Sequence, residues 1–87
     1  MVEIRFEIDK NRAVAYNNEE EIGECVFLEQ NNDWNIVHTE VNSDYQGQGI
    51  ARKLVENIIE NAKKYHKKVI AECSYAQKVI NNKKDET

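Results

Sequence analysis

The chain has 87 residues, of which 40% are hydrophobic and 32% charged, and it contains no proline. This length and composition predict a single globular domain spanning residues 1–87, and they exclude a disordered tail or a fibre. Its apolar runs are shorter than the roughly 20 residues of a membrane-spanning helix, and its acidic N-terminal sequence is unlike a signal peptide. We therefore expect a cytoplasmic protein.

The net charge of −4 conceals two halves of opposite character. Residues 1–47 carry eleven acidic and three basic side chains, whereas residues 48–87 carry nine basic and five acidic ones. The acidic total argues against general nucleic-acid binding, although the basic second half could attract a phosphorylated small molecule. Two cysteines, Cys25 and Cys73, are too few for a disulfide scaffold and lack zinc-site spacing, so we expect free thiols and no metal.

The first forty residues alternate apolar and polar side chains with the period of two that is typical of strands. Four strands are predicted, with polar turns between them: Val2–Asp9, Arg12–Tyr16, Gly23–Leu28 and Trp34–Val41. Strict alternation in the fourth strand places Trp34, Ile36, His38 and Glu40 on one face and Asn35, Val37, Thr39 and Val41 on the other. Short turns between consecutive strands predict an antiparallel meander.

The hydrophobic period then changes to that of a helix. The apolar stripe consists of Ile50, Leu54, Ile58 and Ala62, supported by Val55, Ile59 and Tyr65. A short apolar run, residues 69–71, predicts a buried fifth strand that pairs parallel to the fourth through a right-handed crossover. A short helix is predicted over Tyr75–Ile80, and residues 81–87 are expected to be frayed. The predicted fold class is α+β, with a mixed sheet.

A glycine-containing loop, residues 42–51, joins the fourth strand to the long helix. Gly47 and Gly49 allow a tight turn and close approach of a ligand, and the N–H groups at the start of a helix bind phosphate. A dinucleotide-binding GxGxxG motif would need glycine where Arg52 stands, and the Gly-Lys-Ser/Thr of a P-loop is absent. The alternative is a glycine turn that only caps the helix.

The hexapeptide Gln46-Gly47-Gln48-Gly49-Ile50-Ala51 resembles the Gln/Arg-x-x-Gly-x-Gly/Ala signature of the GNAT acetyltransferase superfamily, in the same setting between a strand and an amphipathic helix. The short length and segments 37–41 and 71–75 are similar to the small, single-domain YjdJ-like GNAT group. The resemblance, over residues 23–80, implies that loop amides hold the pyrophosphate of coenzyme A and that its pantetheine arm runs in a cleft where the fourth and fifth strands splay apart. The cofactor-binding residues that it implies are Val41, Gln46, Gly47, Gln48, Gly49, Ile50, Ala51 and Arg52.

The chain departs from this family on the acceptor side. The turn after the first strand is too short for the helices that build the acceptor site in typical members, so we expect an incomplete or very open site. The pattern Asn-x-x-Ala-x-x-x-Tyr of many members reads Cys73, Ala76 and Ile80 here, so the usual tyrosine acid is missing. Tyr75 or water would have to protonate the departing thiolate.

Three further side chains are candidates for the chemistry of acetyl transfer to an amine, which needs a base. His38 and Glu40 could act through water, and His38 has the better intrinsic pKa; the alternatives are a packed or surface imidazole and a solvated carboxylate. Cys73 could take the acetyl group covalently or only line the cleft, and His38 could approach it. Cys25 is expected to be an inert strand residue.

The sequence thus predicts an acetyl-CoA-dependent N-acetyltransferase with an unknown amine acceptor, either a small molecule or a protein. Neither a nucleic acid nor a membrane is an expected partner, and the expected state is a monomer or weak dimer. One alternative is a coenzyme A-binding or acyl-CoA-sensing module without efficient catalysis. Another is an interaction domain that uses the same fold.

Overall fold

Five strands form one mixed sheet in the order β1-β2-β3-β4-β5 in the computed structural model, which describes residues 1–85. The elements are β1 (Val2–Glu7), β2 (Arg12–Asn17), β3 (Glu20–Gln30), β4 (Asp33–Val41), α1 (Ile50–Lys64), β5 (Val69–Ala71) and α2 (Ser74–Asp85). Consecutive strands from β1 to β4 pair antiparallel, and β5 pairs parallel to β4. The predicted α+β class, meander and parallel crossover are confirmed.

The first two turns differ in length from the prediction, and an asparagine adopts the left-handed conformation in each. β1 ends at Glu7, and the next three residues form one 3-10 turn that Asn11 closes in the left-handed conformation. Asn18 is also left-handed, with φ of 58°, so β3 already begins at Glu20. Asparagine tolerates this conformation better than most side chains.

The C-terminal elements are also different in extent or burial. β5 is only partly buried, since Ile70 is 36% exposed. α2 continues through residues 81–85, which are helical rather than frayed. Residues 86–87 of the predicted frayed segment lie outside the described residues.

A β-bulge at Val37 changes which side chains of β4 share a face. The register pairs Ile36 with Phe27 and His38 with Val26, which leaves Val37 as an extra residue. Because one extra residue shifts the period of two, Thr39 and Val41 follow Ile36 on the face that α1 covers. The predicted single face for Trp34, Ile36, His38 and Glu40 is therefore wrong: His38 and Glu40 lie on the opposite face.

Helix α1 buries the predicted stripe against one face of the sheet. Its buried residues are Ile50, Leu54, Val55, Ile58 and Ala62. They pack on side chains of β2–β4 that include Cys25, Phe27, Trp34 and Ile36. The rings of Phe27 and Trp34 stack with centroids 4.2 Å apart. Burial of one such large apolar side chain contributes about 1.5–3 kcal/mol, so this layer holds α1 against the sheet.

The other face of the sheet carries a network of charged side chains. Arg12 lies at its centre and donates to Glu7 at 2.8 Å and to Glu24 at 2.9 Å, and it forms an ion pair with Glu21 at 3.0 Å. A one-turn connection, not a pair of helices, joins β1 to β2, so neither α1 nor α2 covers this surface. Within residues 1–85, the longest apolar helical stretch is too short or too polar to span a membrane.

Candidate active site

A cleft opens where β4 and β5 part. The two strands pair only from Trp34 with Val69 to Ile36 with Ala71. β4 then continues to Val41 without β5, paired only with β3. The carbonyl of Ile36 accepts the N–H groups of both Glu72 and Cys73, which ends the ladder. The cleft has a volume of about 470 Å³ and is lined by Thr39, Val41, Tyr45, Gln46, Gly47, Gly49, Ile50, Ala51 and Tyr75.

The glycine loop forms one wall of this cleft in a conformation that requires its glycines. Gly47 and Gly49 have φ of 85° and 77°, which is the left-handed region, and a Cβ at either position would meet no atom within 4 Å. Gln46 lines the cleft, but its N–H already donates to Ser43. Gln48 is exposed between the glycines. The loop therefore offers backbone to open space at the two glycines.

The first turn of α1 faces the same cleft. Its first helical hydrogen bond runs from the N–H of Lys53 to the carbonyl of Gly49, so the N–H groups of Ile50 and Ala51 have no acceptor within the helix. No side chain caps this end, and no acidic residue lies in the first turn. Arg52 adds a cation there and is paired with Glu56 at 3.2 Å. This end of the helix is suited to an anion such as phosphate.

The free edge of β4 directs backbone N–H groups into the cleft. The N–H of Asn42 donates to Ile22 on the β3 side. Because successive residues of a strand direct their N–H groups to opposite sides, the N–H of Val41 lies on the β5 side. The N–H of Thr39, two residues earlier, bonds the sulfur of Cys73 on that same side. Val41 thus provides a donor for a carbonyl oxygen in the cleft.

Cys73 lies between the end of β5 and the start of α2, where several donors converge on its sulfur. Burial by itself raises the pKa of this thiol, but hydrogen bonds from the backbone of Ala76 and Tyr75 and from the side chain and backbone of Thr39 outweigh it. The pKa of Cys73 is therefore lowered from its ordinary value. The carbonyl of Cys73 accepts the N–H of Gln77, so this sulfur occupies the N-cap position of α2.

Thr39 is a site residue that the sequence analysis did not identify. Its Oγ1 lies 3.7 Å from Sγ of Cys73 and 3.4 Å from Sγ of Cys25. Cys25 is opposite Thr39 in the β3–β4 register and fully buried, and this burial raises its pKa to about 12. Strict alternation correctly placed Thr39 on one face with Val41, but wrongly placed Asn35 and Val37 there too, because of the bulge. No sequence signal connected Thr39 to either cysteine.

The two base candidates lie on the opposite face of β4. Nε2 of His38 is 3.4 Å from a carboxylate oxygen of Glu40, and both side chains are exposed. One imidazole nitrogen of His38 and one carboxylate oxygen each of Glu24 and Glu40 all lie within 4.8 Å of one another. His38 is thus directed to carboxylates, and the neighbour of the Cys73 sulfur is Thr39 instead.

The end of α2 nearest the cleft carries the predicted acid candidate. Tyr75 lines the cleft and is 39% exposed. Ile80, at the position of the tyrosine in the GNAT pattern, lies one and a half turns further along α2 and carries no titratable group.

Comparison with known proteins places this arrangement in a family. Residues 5–87 match the family model described as GCN5-related N-acetyl-transferase. No curated protein gives a significant match. The solution structure of a GCN5-like putative N-acetyltransferase from Staphylococcus aureus is 28% identical with a TM-score of 0.71, over 95% of this chain and 81% of that one.

Two other solved structures share the fold at lower identity. A GNAT family acetyltransferase from Elizabethkingia anophelis, with acetyl-CoA bound, is 20% identical with a TM-score of 0.67, over 95% of this chain and 72% of that one. A ribosomal-protein-alanine N-acetyltransferase from Brucella melitensis biovar Abortus 2308 is 19% identical with a TM-score of 0.63, over 69% of this chain. The match spans 50% of the Brucella protein. With the family model matching nearly the whole sequence, the chain belongs to the GCN5-related N-acetyltransferases, a family of acetyl-transferring enzymes.

Proposed function

We propose that this protein transfers the acetyl group of acetyl-CoA to an amine, as one small catalytic domain spanning residues 1–87. The observation that carries the proposal is the cleft between β4 and β5, which brings the uncapped start of α1 and the free edge of β4 together. Cys73, whose pKa is lowered, lies beside Thr39 and Tyr75, which line this cleft. A fold neighbour from Elizabethkingia anophelis that holds acetyl-CoA supports the choice of donor.

The loop and the first turn of α1 would hold the pyrophosphate of coenzyme A. The N–H groups of Ile50 and Ala51 lack intrahelical acceptors, and the conformation of Gly47 and Gly49 leaves the space above the loop open. Negative charge at this end of a helix is favoured by about 0.3–1 kcal/mol from the helix dipole alone, and direct N–H donation adds to it. The assigned residues are those that the sequence predicts, namely 46–52 together with Val41.

Val41 and Cys73 would act on the thioester. The N–H of Val41 is positioned to donate to the carbonyl oxygen and so to stabilise the negative charge that develops there. The thiolate of Cys73 attacks the carbonyl carbon, the bond to the coenzyme A sulfur breaks, and that sulfur leaves as a thiolate. Tyr75, which lines the cleft, would supply the departing thiolate with a proton, as could water.

The acceptor would then reach the acetylated cysteine from the open face of the sheet. A second cleft of about 250 Å³ lies there, lined by residues that include Glu21, Glu24 and Glu40. Glu40 alternates along β4 with Thr39 and Val41, which line the first cleft, so the two clefts lie on opposite faces of the same strand. Carboxylates attract a cationic amine, and Glu40 or His38 would remove its proton through water. The amine nitrogen would then attack the acetyl carbonyl carbon, and the bond from that carbon to Sγ of Cys73 would break, which returns Cys73 to the thiolate.

A transfer assay with two cysteine variants tests this proposal. The protein is incubated with acetyl-CoA alone, and intact-mass analysis with peptide mapping asks whether one acetyl group is added to Cys73. Cys73→Ala is expected to gain no acetyl group there. Cys25→Ala, which also removes one thiol, still gains the acetyl group on Cys73, at most about threefold more slowly, and serves as the control. Release of coenzyme A is then followed in the presence of polyamines and of lysine-containing peptides.

The outcomes separate the proposal from its alternatives. Turnover with an amine, together with a transient acetyl group on Cys73, supports the covalent route. Full turnover by Cys73→Ala would exclude that route and leave direct transfer. Tight binding of acetyl-CoA without turnover of any amine would favour the acyl-CoA-sensing alternative, for which the absence of the family's tyrosine at Ile80 is the favouring observation.

A further inference from the structure

The buried thiol of Cys25 has no part in the reaction proposed above, yet it belongs to the same chain of hydrogen bonds as Cys73. Thr39 stands between the two sulfurs, with its Oγ1 3.4 Å from Sγ of Cys25 and 3.7 Å from Sγ of Cys73. The register fixes this arrangement, because Cys25 and Thr39 are directly opposite in the β3–β4 pair and their side chains share the covered face.

The Thr39 hydroxyl has a single proton, which limits the hydrogen bonds that it can make to the two sulfurs. A hydroxyl donates one hydrogen bond and accepts up to two, so Thr39 cannot donate to both sulfurs at once. While Cys73 is a thiol, its S–H can donate to Thr39, and Thr39 donates to Cys25. A Cys73 thiolate can only accept, so the hydroxyl must then turn its proton toward Cys73.

That reversal leaves the oxygen of Thr39 as an acceptor for Cys25. Cys25 is 0% exposed, and burial raises its pKa to about 12, so it keeps its proton under the conditions in which Cys73 reacts. Cys25 therefore always carries an S–H group that can donate, at hydrogen-bond distance from Oγ1 of Thr39. A donor behind the hydroxyl favours the orientation that points the hydroxyl proton at the thiolate, since hydrogen bonds in a chain polarise one another.

We propose that Cys25 is a positioning residue, whose S–H donates to Oγ1 of Thr39 and so holds the Thr39 hydroxyl in the orientation that donates to the Cys73 thiolate. No proton is transferred along the chain; two hydrogen bonds reverse direction together. The role rests on the use of Cys73 as a thiolate in the proposed function. Its test needs neither acetyl-CoA nor an acceptor, so the two can fail separately.

The experiment is the pH dependence of iodoacetamide alkylation of Cys73, followed by intact mass and mapped to the residue. Cys25 is fully buried, so we expect it not to react in the folded protein. Thermal melting checks that every variant is folded. Thr39→Val, which removes the hydroxyl, is expected to raise the alkylation midpoint by about one pH unit, and Thr39→Ser is expected to restore it. These two variants establish that the hydroxyl donates to the thiolate.

The decisive comparison is between two variants of Cys25 of nearly equal size. Cys25→Ala removes the donor and is expected to raise the midpoint by about half a pH unit, or about threefold in thiolate fraction at a fixed lower pH. Cys25→Ser keeps a donor and is expected to leave the midpoint at its wild-type value. Cys25→Val, a further donor-free variant that fills the space, is expected to match Cys25→Ala.

A double variant separates positioning from packing. If Cys25 acts only through the hydroxyl, Cys25→Ala adds no further shift to Thr39→Val. Equal shifts in Cys25→Ala and Cys25→Ser, an unchanged midpoint in Cys25→Ala, or additive shifts in the double variant would each overturn the proposal.

Discussion

At the scale of single residues, the backbone of Gly49 both sets the conformation of the loop and borders the proposed phosphate site. Its φ of 77° disfavours side chains with a Cβ, while the space around it is open. Asparagine and aspartate both tolerate this conformation and differ only in charge at neutral pH. They therefore offer a matched pair that separates backbone strain from repulsion of a phosphate.

We expect Gly49→Asp to weaken acetyl-CoA binding at least about tenfold relative to Gly49→Asn, because its carboxylate would lie against the pyrophosphate. The two variants should have similar free energies of unfolding. Isothermal titration with acetyl-CoA and urea unfolding measure the two quantities. Equal affinities of the two variants would place the phosphates somewhere other than this loop.

The exposed pair His38 and Glu40 is the second residue-scale feature that a matched pair can test. If Glu40 accepts the proton of the amine, Glu40→Gln should lower the transfer rate about 100-fold, within the usual range for a general base. Acetyl-CoA affinity should not change, since the side chain lies on the opposite face of β4 from the cleft. His38→Gln provides the comparison, and the variant with the larger loss in rate identifies the base. Unchanged rates in both would assign the proton transfer to solvent.

At the scale of elements, α1 is attached to the sheet by a fully buried stripe. Ile58 is 0% exposed, so Ile58→Ala should lower the free energy of unfolding by about 2–5 kcal/mol through lost burial and the cavity left behind. Glu60→Ala, on the exposed side of the same helix, should change it by no more than about 0.5 kcal/mol. Urea unfolding of both variants measures the difference, and a small loss in Ile58→Ala would mean that the helix is held elsewhere.

Arg12 joins three strands on the other face, through Glu7 of β1 and both Glu21 and Glu24 of β3. Hydrogen bonding from Arg12 lowers the pKa of Glu7 below its ordinary 4.5. A carboxylate whose pKa is lower in the folded than in the unfolded state stabilises the fold at pH values above its unfolded-state pKa. This contribution is lost as the pH falls through its folded-state pKa. The network should therefore stabilise the sheet at neutral pH and lose this effect in acid.

We expect Arg12→Gln to lower the free energy of unfolding at pH 7 by about 1–3 kcal/mol, because three neighbouring carboxylates lose their shared donor. The difference from the unmodified protein should shrink as the pH falls through the lowered pKa of Glu7 in the folded state, because Glu7 is then protonated in both proteins. Lys78→Gln, at an exposed position of α2 outside the network, is the control. Urea unfolding across this pH range gives the result, and a difference that stays constant with pH would refute the assignment to Glu7.

The elements also show what the sequence could and could not predict. The helical stripe of α1 and the meander follow from periodicity, since each period reports one buried face. The parallel β5 follows from a short apolar run after a strand–helix crossover. The bulge at Val37 left no such trace, because a segment of mixed polarity fits either register. That one residue decided which side chains of β4 line the cleft, and so concealed Thr39. The glycine loop was predictable because its conformation restricts residue type, whereas most of the donors around Cys73 are backbone groups that any sequence carries.

At the scale of the whole molecule, the two charged halves of the sequence take different places around one sheet. The acidic half forms the open face, where Glu21, Glu24 and Glu40 line a shallow cleft. The second half supplies the helix start and the cysteine on the covered face. The free edge of β4 lies between them, so an anionic donor and a cationic acceptor could approach the same strand from opposite faces.

The central claim is that the cleft between β4 and β5 binds acetyl-CoA, and an amide chemical-shift titration of the labelled protein tests it most directly. Free coenzyme A serves as the comparison ligand. The account predicts saturable shifts concentrated at residues 47–52, Val41 and Cys73, with larger movement at Cys73 for the acetylated form. No shifts at millimolar ligand, or shifts confined to the open face around Glu24, would contradict it.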